Sequence, residues 1–206
     1  MVNLSKIVKI FVIGLGSMGK RRIRIVQAEY PDIQIFGIDQ RKDRQIESEN
    51  EFNIKTMDDI KKAFKCCTPD IVFVCTSPLS HLDFVLYSLQ NNAHTFSEIN
   101  LSSDGYTEIL SAAQSFGKIA FISSTPLYKK EIRWLIDKIG GKNRFSYRYH
   151  VGQYLPDWHP WEKYKDFFVA DKKTNAFILL TMVLLSLPPF ENTSPKHQEF
   201  CPTASD

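Results

Sequence analysis

The chain has 206 residues, room for one large domain or for one complete domain and part of another. A hydrophobic fraction of 43% with 24% charged residues is that of an ordinary globular protein, and 26 basic against 23 acidic residues, spread along the chain for a net charge of +3, form no basic stripe to follow a nucleic-acid backbone. Cys66, Cys67, Cys75 and Cys201 include no Cys-x-x-Cys pair, so neither a metal site nor a disulfide framework is expected, and the charged N-terminus lacks the apolar core and cleavage site of a signal peptide, which points to the cytoplasm.

Short β-rich runs alternate with segments of helical period through the first 123 residues, the pattern of a parallel sheet with crossover helices. Val8 to Ile13 is the first predicted strand. Its helix starts in a glycine loop and runs to about Glu29, burying Ile23 and Val26 and solvating Lys20, Arg21, Arg22 and Arg24. Ile33 to Ile38 is the second strand and ends on Asp39; a short helix follows near Asp58 to Phe64, with Thr56 and Asp59 spaced as a capping box. Ile71 to Cys75 is a fully apolar strand, after which Leu82, Val85, Leu86 and Leu89 recur at helical spacing until Asn91-Asn92. His94 to Ser97 is the next strand, Ile109, Leu110, Ala113 and Phe116 mark a helix ending at Gly117, and Ile119 to Ile122 is a further strand. Ile132, Leu135, Ile136 and Ile139 give one more amphipathic helix, closed by Gly140-Gly141. Beyond it Phe145, Tyr147 and Tyr149 alternate with polar residues, as in a half-exposed antiparallel strand. The expected class is therefore α/β, a doubly wound Rossmann-type parallel sheet over 1–123, followed by an incomplete α+β domain over 124–176 and an aberrant or disordered tail over 177–206.

The loop Gly14-Leu15-Gly16-Ser17-Met18-Gly19 follows an apolar strand and opens a helix, the context in which a Gly-x-Gly-x-x-Gly pattern binds a dinucleotide. Gly14 permits a tight turn, Gly16 lets the backbone approach a pyrophosphate, Gly19 allows close helix–strand packing, and the N–H groups of Ser17, Met18 and Gly19 face the phosphates. Asp39, twenty positions beyond Gly19, is placed to accept the ribose hydroxyls of the adenosine half, which favours NAD over NADP because a 2′-phosphate is repelled by the carboxylate.

With these features, Val74-Cys75-Thr76-Ser77-Pro78-Leu79-Ser80-His81 and Phe96-Ser97-Glu98-Ile99-Asn100-Leu101-Ser102 resemble the glucose–fructose oxidoreductase, inositol dehydrogenase and rhizopine-catabolism family, written Gfo/Idh/MocA. The resemblance covers the Rossmann half and implies Thr76, Ser77, Pro78 and His81 along the nicotinamide half of the cofactor and Glu98 near its ribose. It further implies hydride transfer between NAD and a hydroxyl carbon of a sugar, nucleotide sugar or polyol. Where the family commonly reads Glu-Lys-Pro, this chain reads Glu98-Ile99-Asn100, and Ile99 has no proton to give or take. Either a base comes from elsewhere, with His150, His159, Tyr128 and Lys129 as candidates and none assigned, or the chain binds dinucleotide without catalysis, as a pseudoenzyme or cofactor sensor.

The aromatic loop Tyr154 to Trp161 has the character of pocket material for a small sugar or polyol. From Phe177 to Phe190 the chain is apolar on every side, too short to span a bilayer, which needs ~20 residues, and a premature end or reading-frame shift near Ala176 is expected. Neither nucleic acid nor a membrane is an expected partner, and a homo-oligomer is expected only with a complete second domain.

Overall fold

Central to the first half of the chain is a run of strands buried on both faces, which only a sheet covered by helices can accommodate. In the computed structural model, which describes residues 9–98 and 105–139 together with Asp157 and Lys163, these strands are β1 (Lys9–Ile13), β2 (Gln34–Ile38), β3 (Lys55–Met57), β4 (Ile71–Val74), β5 (His94–Ser97) and β6 (Ala120–Ile122). All pair in parallel in the order β3-β2-β1-β4-β5-β6, the Rossmann arrangement expected from the alternation of β and α segments. The helices are α1 (Ser17–Glu29), α2 (Lys42–Phe52), α3 (Ile60–Cys66), α4 (His81–Gln90), α5 (Tyr106–Ser115) and α6 (Lys130–Ile139).

Strand residues alternate between two apolar layers. Phe11, Ile13, Val72 and Val74 pack with Ile60, Val85, Leu89 and Ile109 on one face, while Ile10, Val12 and Cys75 pack with Leu15, Ile23 and Val26 on the other. Phe11, Val12, Val72, Val74, Ile23 and Leu89 are fully enclosed, each contributing ~1.5–3 kcal/mol by leaving water. Phe11 meets Phe36 and Phe64 edge-on, and Phe73, Phe96 and Phe121 lie across β4, β5 and β6 with centroids 5.0 and 5.3 Å apart.

The chain divides into two units, Met1–Ser124 and Thr125–Asp206. In the second, a 3-10 turn at Thr125–Tyr128 leads into α6, whose Arg133 guanidinium stands 5.7 Å from the Tyr128 ring centre. The expected strand from Phe145, the aromatic loop apart from Asp157, His150, His159, Ile99 and the tail from Phe177 lie outside the described residues.

Several local expectations need correction. Helix α2 and strand β3 carry no amphipathic signature: α2 buries Gln45, Ser48 and Phe52 while Ile46 is exposed, so its inward face is largely polar. It closes on Asn53, whose φ of 52° is the left-handed cap that asparagine tolerates. Thr56 forms no capping box; it sits in β3 and bonds Glu49, and α3 is capped by Asp59, which accepts the Lys62 N–H at 2.9 Å. In α5 only Ile109 is buried, with Leu110 and Phe116 exposed.

Candidate functional site

In a sheet of this order, β1 and β4 are neighbours whose crossovers depart in opposite directions, and the loops after their C-terminal ends flank a crevice. The glycine loop follows β1, and the Thr76–His81 segment follows β4.

The three loop glycines divide by cause. Gly14 has a φ of 88°, and a Cβ there would stand 2.7 Å from the Cys75 carbonyl oxygen, so the crossing of β1 past β4 requires glycine. Gly19 sits with its α-carbon directly against the Gly14 carbonyl oxygen, leaving no space for a side chain between α1 and β1. Gly16 differs: its φ is −74°, open to any residue, and among the described residues a Cβ would meet only the Arg44 guanidinium, at 3.5 Å. Neither the fold nor the backbone explains a glycine there, whereas close approach of a ligand does. Gly16 is also the N-cap of α1, with no side chain capping it, and the first intrahelical bond runs from Lys20 N–H to the Gly16 carbonyl. The amides of Ser17, Met18 and Gly19 thus have no intrahelical acceptor and no acidic residue in their turn, a donor set for an anion. These residues fit a dinucleotide pyrophosphate.

Leu15, fully buried, pins the loop into the core between Gly14 and Gly16. Its N–H donates to Asp39 Oδ2 at 2.8 Å, and the Arg41 N–H donates to Asp39 Oδ1 at 2.9 Å, so one carboxylate ties the glycine loop to the turn after β2. The Asp39 side chain is only 9% exposed, with Arg44 Nη1 3.7 Å from Oδ2.

Beyond β4, Thr76 and Ser80 join through their hydroxyls at 2.8 Å, and Ser77 precedes a 3-10 turn that Pro78 begins. Ser77 is exposed and Thr76 and Pro78 half-buried, whereas His81 is enclosed, its Nε2–H donating to the Thr76 carbonyl at 2.9 Å. The structure therefore brings Thr76, Ser77 and Pro78 to the loop surface and His81 beneath it. Next door, burial first and the Glu98 charge second push the Cys75 thiol up to about 12, which keeps it a neutral apolar residue.

Glu98 follows β5 and receives Arg22, whose Nε and Nη2 both reach Oε1 at 2.7 Å; Nη2 also lies 3.4 Å from the Ser123 hydroxyl. The guanidinium stands 4.7 Å from the Phe96 ring centre. Arg22 and Lys20 are thus not the solvated charges that helical spacing suggests: their side chains are 17% and 13% exposed, and Lys20 pairs with Glu47. One turn from Gly19 and beside Ile23, Arg22 borders the buried stripe of α1, and that position was the available signal. Arg44 had none, because α2 itself was illegible. Of the candidate bases, Tyr128 and Lys129 are described and exposed. Among the described residues no cluster of His, Cys, Asp or Glu has the geometry to hold a metal ion, and no helix is long and apolar enough to cross a membrane.

Residues 8–124 match the model of an oxidoreductase family with an NAD-binding Rossmann fold. No curated protein sequence matches the chain. Among solved structures, the fold is similar to that of a WlbA dehydrogenase from Chromobacterium violaceum in complex with NADH and UDP-GlcNAcA, at 12% identity and a TM-score of 0.60 over 66% of this chain and 40% of that one. It is also similar to myo-inositol 2-dehydrogenase from Lactobacillus plantarum, at 18% identity and 0.58 over 68% and 43%, and to a probable dehydrogenase from Thermotoga maritima, at 22% and 0.55 over 64% and 40%. In each case the match spans well under half the length of the solved protein.

Proposed function

Because the chain belongs to the Gfo/Idh/MocA family of NAD-binding Rossmann-fold oxidoreductases, we propose that it binds NAD across the β1–β4 crevice for hydride transfer with a hydroxyl carbon of a sugar, nucleotide sugar or polyol. The observation that carries the cofactor site is Gly16, a glycine without a structural reason at an uncapped helix start. On this reading the amides of Gly16, Ser17, Met18 and Gly19 hold the pyrophosphate and Asp39 orients the adenosine ribose, with Gly14 shaping the turn. Thr76, Ser77 and Pro78 line the nicotinamide side, and His81 is a positioning residue that fixes their loop from below through the Thr76 carbonyl. Glu98 reaches ribose through the oxygen that Arg22 does not engage. Residues 1–123 form the cofactor domain and 124–176 begin the substrate side. Bound nicotinamide supplies the hydride acceptor or donor. The substrate class is supported by two proteins of similar fold, one crystallised with a nucleotide sugar and one named for an inositol.

A second reading, a non-catalytic dinucleotide-binding protein, is favoured by Ile99, which offers no proton where the family commonly has lysine, a service commonly worth ~10²–10⁴-fold in rate. Titration with NAD followed by protein fluorescence, then NADH formation over a sugar, nucleotide-sugar and polyol panel, separates the two. Binding with turnover supports the oxidoreductase; binding without turnover on any substrate supports the second reading; no binding overturns both.

A further inference from the structure

An oxidised nicotinamide ring carries a positive charge that the reduced ring lacks, so a fixed charge beside it biases which form is held: a lone carboxylate favours NAD and a lone cation favours NADH. Glu98 stands where such a charge acts. Its N–H donates to the Val74 carbonyl at 3.1 Å, which sets it level with Cys75 at the start of the loop that carries Thr76, Ser77 and Pro78. Its surroundings screen little: Glu98 and Arg22 are 15% and 17% exposed, the Phe96 ring centre lies 4.7 Å from the guanidinium, and the Cys75 thiol is neutral.

A counter-charge is built in. Nε and Nη2 of Arg22 both meet Glu98 Oε1 at 2.7 Å, and Nη2 also lies 3.4 Å from the Ser123 hydroxyl just past β6, so the guanidinium is held from two neighbouring strand ends. Two other cations of α1 are turned toward α2, where Lys20 pairs with Glu47 and Arg24 bonds Glu51 at 3.0 Å. Among the described residues, Arg22 is thus the cation matched to Glu98, and because it engages Oε1 alone, Oε2 keeps its capacity to accept a ribose hydroxyl.

We infer that Arg22 is a positioning residue that offsets the Glu98 charge at the nicotinamide end of the site, so that the chain holds NAD and NADH with similar affinity instead of favouring the oxidised form. The inference rests on the dinucleotide site proposed above, in which Glu98 meets the nicotinamide ribose. Each member of the pair then governs the preference with opposite sign. Without Arg22 the bare carboxylate attracts the cationic ring, and without the Glu98 charge the bare guanidinium repels it.

The test is calorimetric titration of the whole chain with NAD, NADH and ADP, comparing wild type with Arg22→Met, Arg22→Lys, Glu98→Gln and the Arg22→Met/Glu98→Gln double variant, with thermal melting as the fold control. Wild-type affinities for NAD and NADH are expected to agree within ~5-fold. Arg22→Met should raise the ratio of NAD to NADH affinity by ~5-fold or more, and Glu98→Gln should lower it comparably. Arg22→Lys and the double variant should return the ratio close to that of wild type. A purely structural contact would weaken both cofactors together and leave the ratio unmoved. If Arg22→Met fails to fold, the sign of the Glu98→Gln shift decides. A wild type that strongly favours NAD, or single variants whose ratios stay put or move in the same direction, overturns the role of Arg22, while retained ADP binding leaves the dinucleotide site standing. Wild type that binds none of the three ligands overturns the site itself, and the inference with it.

Discussion

Arg22 on α1 and Glu98 beyond β5 are 76 positions apart in sequence, yet both guanidinium contacts fall on a single carboxylate oxygen at 2.7 Å. The pair ties the helix that opens at the glycine loop to the strand end whose following residues carry the family's third motif. With side chains 17% and 15% exposed it is shielded from water far more than a surface ion pair, so loss of one member leaves a charge poorly solvated.

Arg22→Met is therefore expected to lower stability by ~2–3 kcal/mol, somewhat below the cost of breaking a fully buried pair. Arg22→Met combined with Glu98→Gln should recover much of that loss, since the second change removes the stranded charge. Urea unfolding midpoints of the four species measure the coupling, and an Arg22→Met midpoint equal to wild type would show the pair to be no stronger than a surface one.

The glycines of the loop should separate fold from binding. Gly16→Val keeps an ordinary φ and meets only a flexible side chain, so it should fold with a wild-type melting temperature and lose NAD binding. Gly19→Ala presses a methyl group into the Gly14 carbonyl and should fail to fold or melt well below wild type. Circular dichroism melts beside NAD titrations decide the matter; a Gly16→Val protein that binds NAD normally removes the loop from the site.

Thr95, in β5 and 3% exposed, buries a hydroxyl with no hydrogen-bond partner among the described residues. Replacing it with valine keeps the shape and removes the desolvated polar atom, for an expected gain of ~1 kcal/mol. The melting temperature of Thr95→Val should rise by a few degrees; a fall would mean that the hydroxyl is satisfied.

His94 Nδ1 accepts the Ile119 N–H at 3.0 Å, a role open only to an unprotonated nitrogen. Its pKa lies below the ordinary 6.5, first through burial and then through Lys118, with Asp70 opposing. The unfolded chain thus binds the proton more readily than the folded one. The stabilising contribution is complete above 6.5 and is lost as the pH falls through the lowered folded value. Wild type should lose stability over that acidic window, and His94→Gln should lose less; parallel curves for the two would acquit His94.

The doubly wound parallel sheet was legible because β1 and β4 follow the apolar pattern imposed by burial on both faces and the glycine loop opens a helix without a side-chain cap, whereas β3 was not read. The loop residues Gly14, Gly16 and Gly19 could each be given a physical role from sequence; Gly14 and Gly19 are closely packed against Cys75 and the Gly14 carbonyl, while Gly16 is open but for the Arg44 side chain. Helix α2 was illegible because its inward residues are Gln45 and Ser48 rather than aliphatic ones, and with it went Arg44, whose position is set by that helix. Arg22 was misread for a related reason: helical periodicity sorts residues by polarity, and a charged side chain at the edge of an apolar stripe can turn inward when a carboxylate waits across the sheet.

The bare contact between Gly14 and Gly19 has a kinetic consequence. A helix whose third residue rests on the carbonyl of the preceding strand-end cannot rock or slide without breaking β1 itself, so the donor-lined end of α1 holds one shape before any ligand arrives. Association then needs no wait for a rare competent conformer, and the apparent affinity carries no penalty for forming one. NAD capture should follow a single concentration-dependent phase whose rate is governed by encounter, with no slow isomerisation behind it.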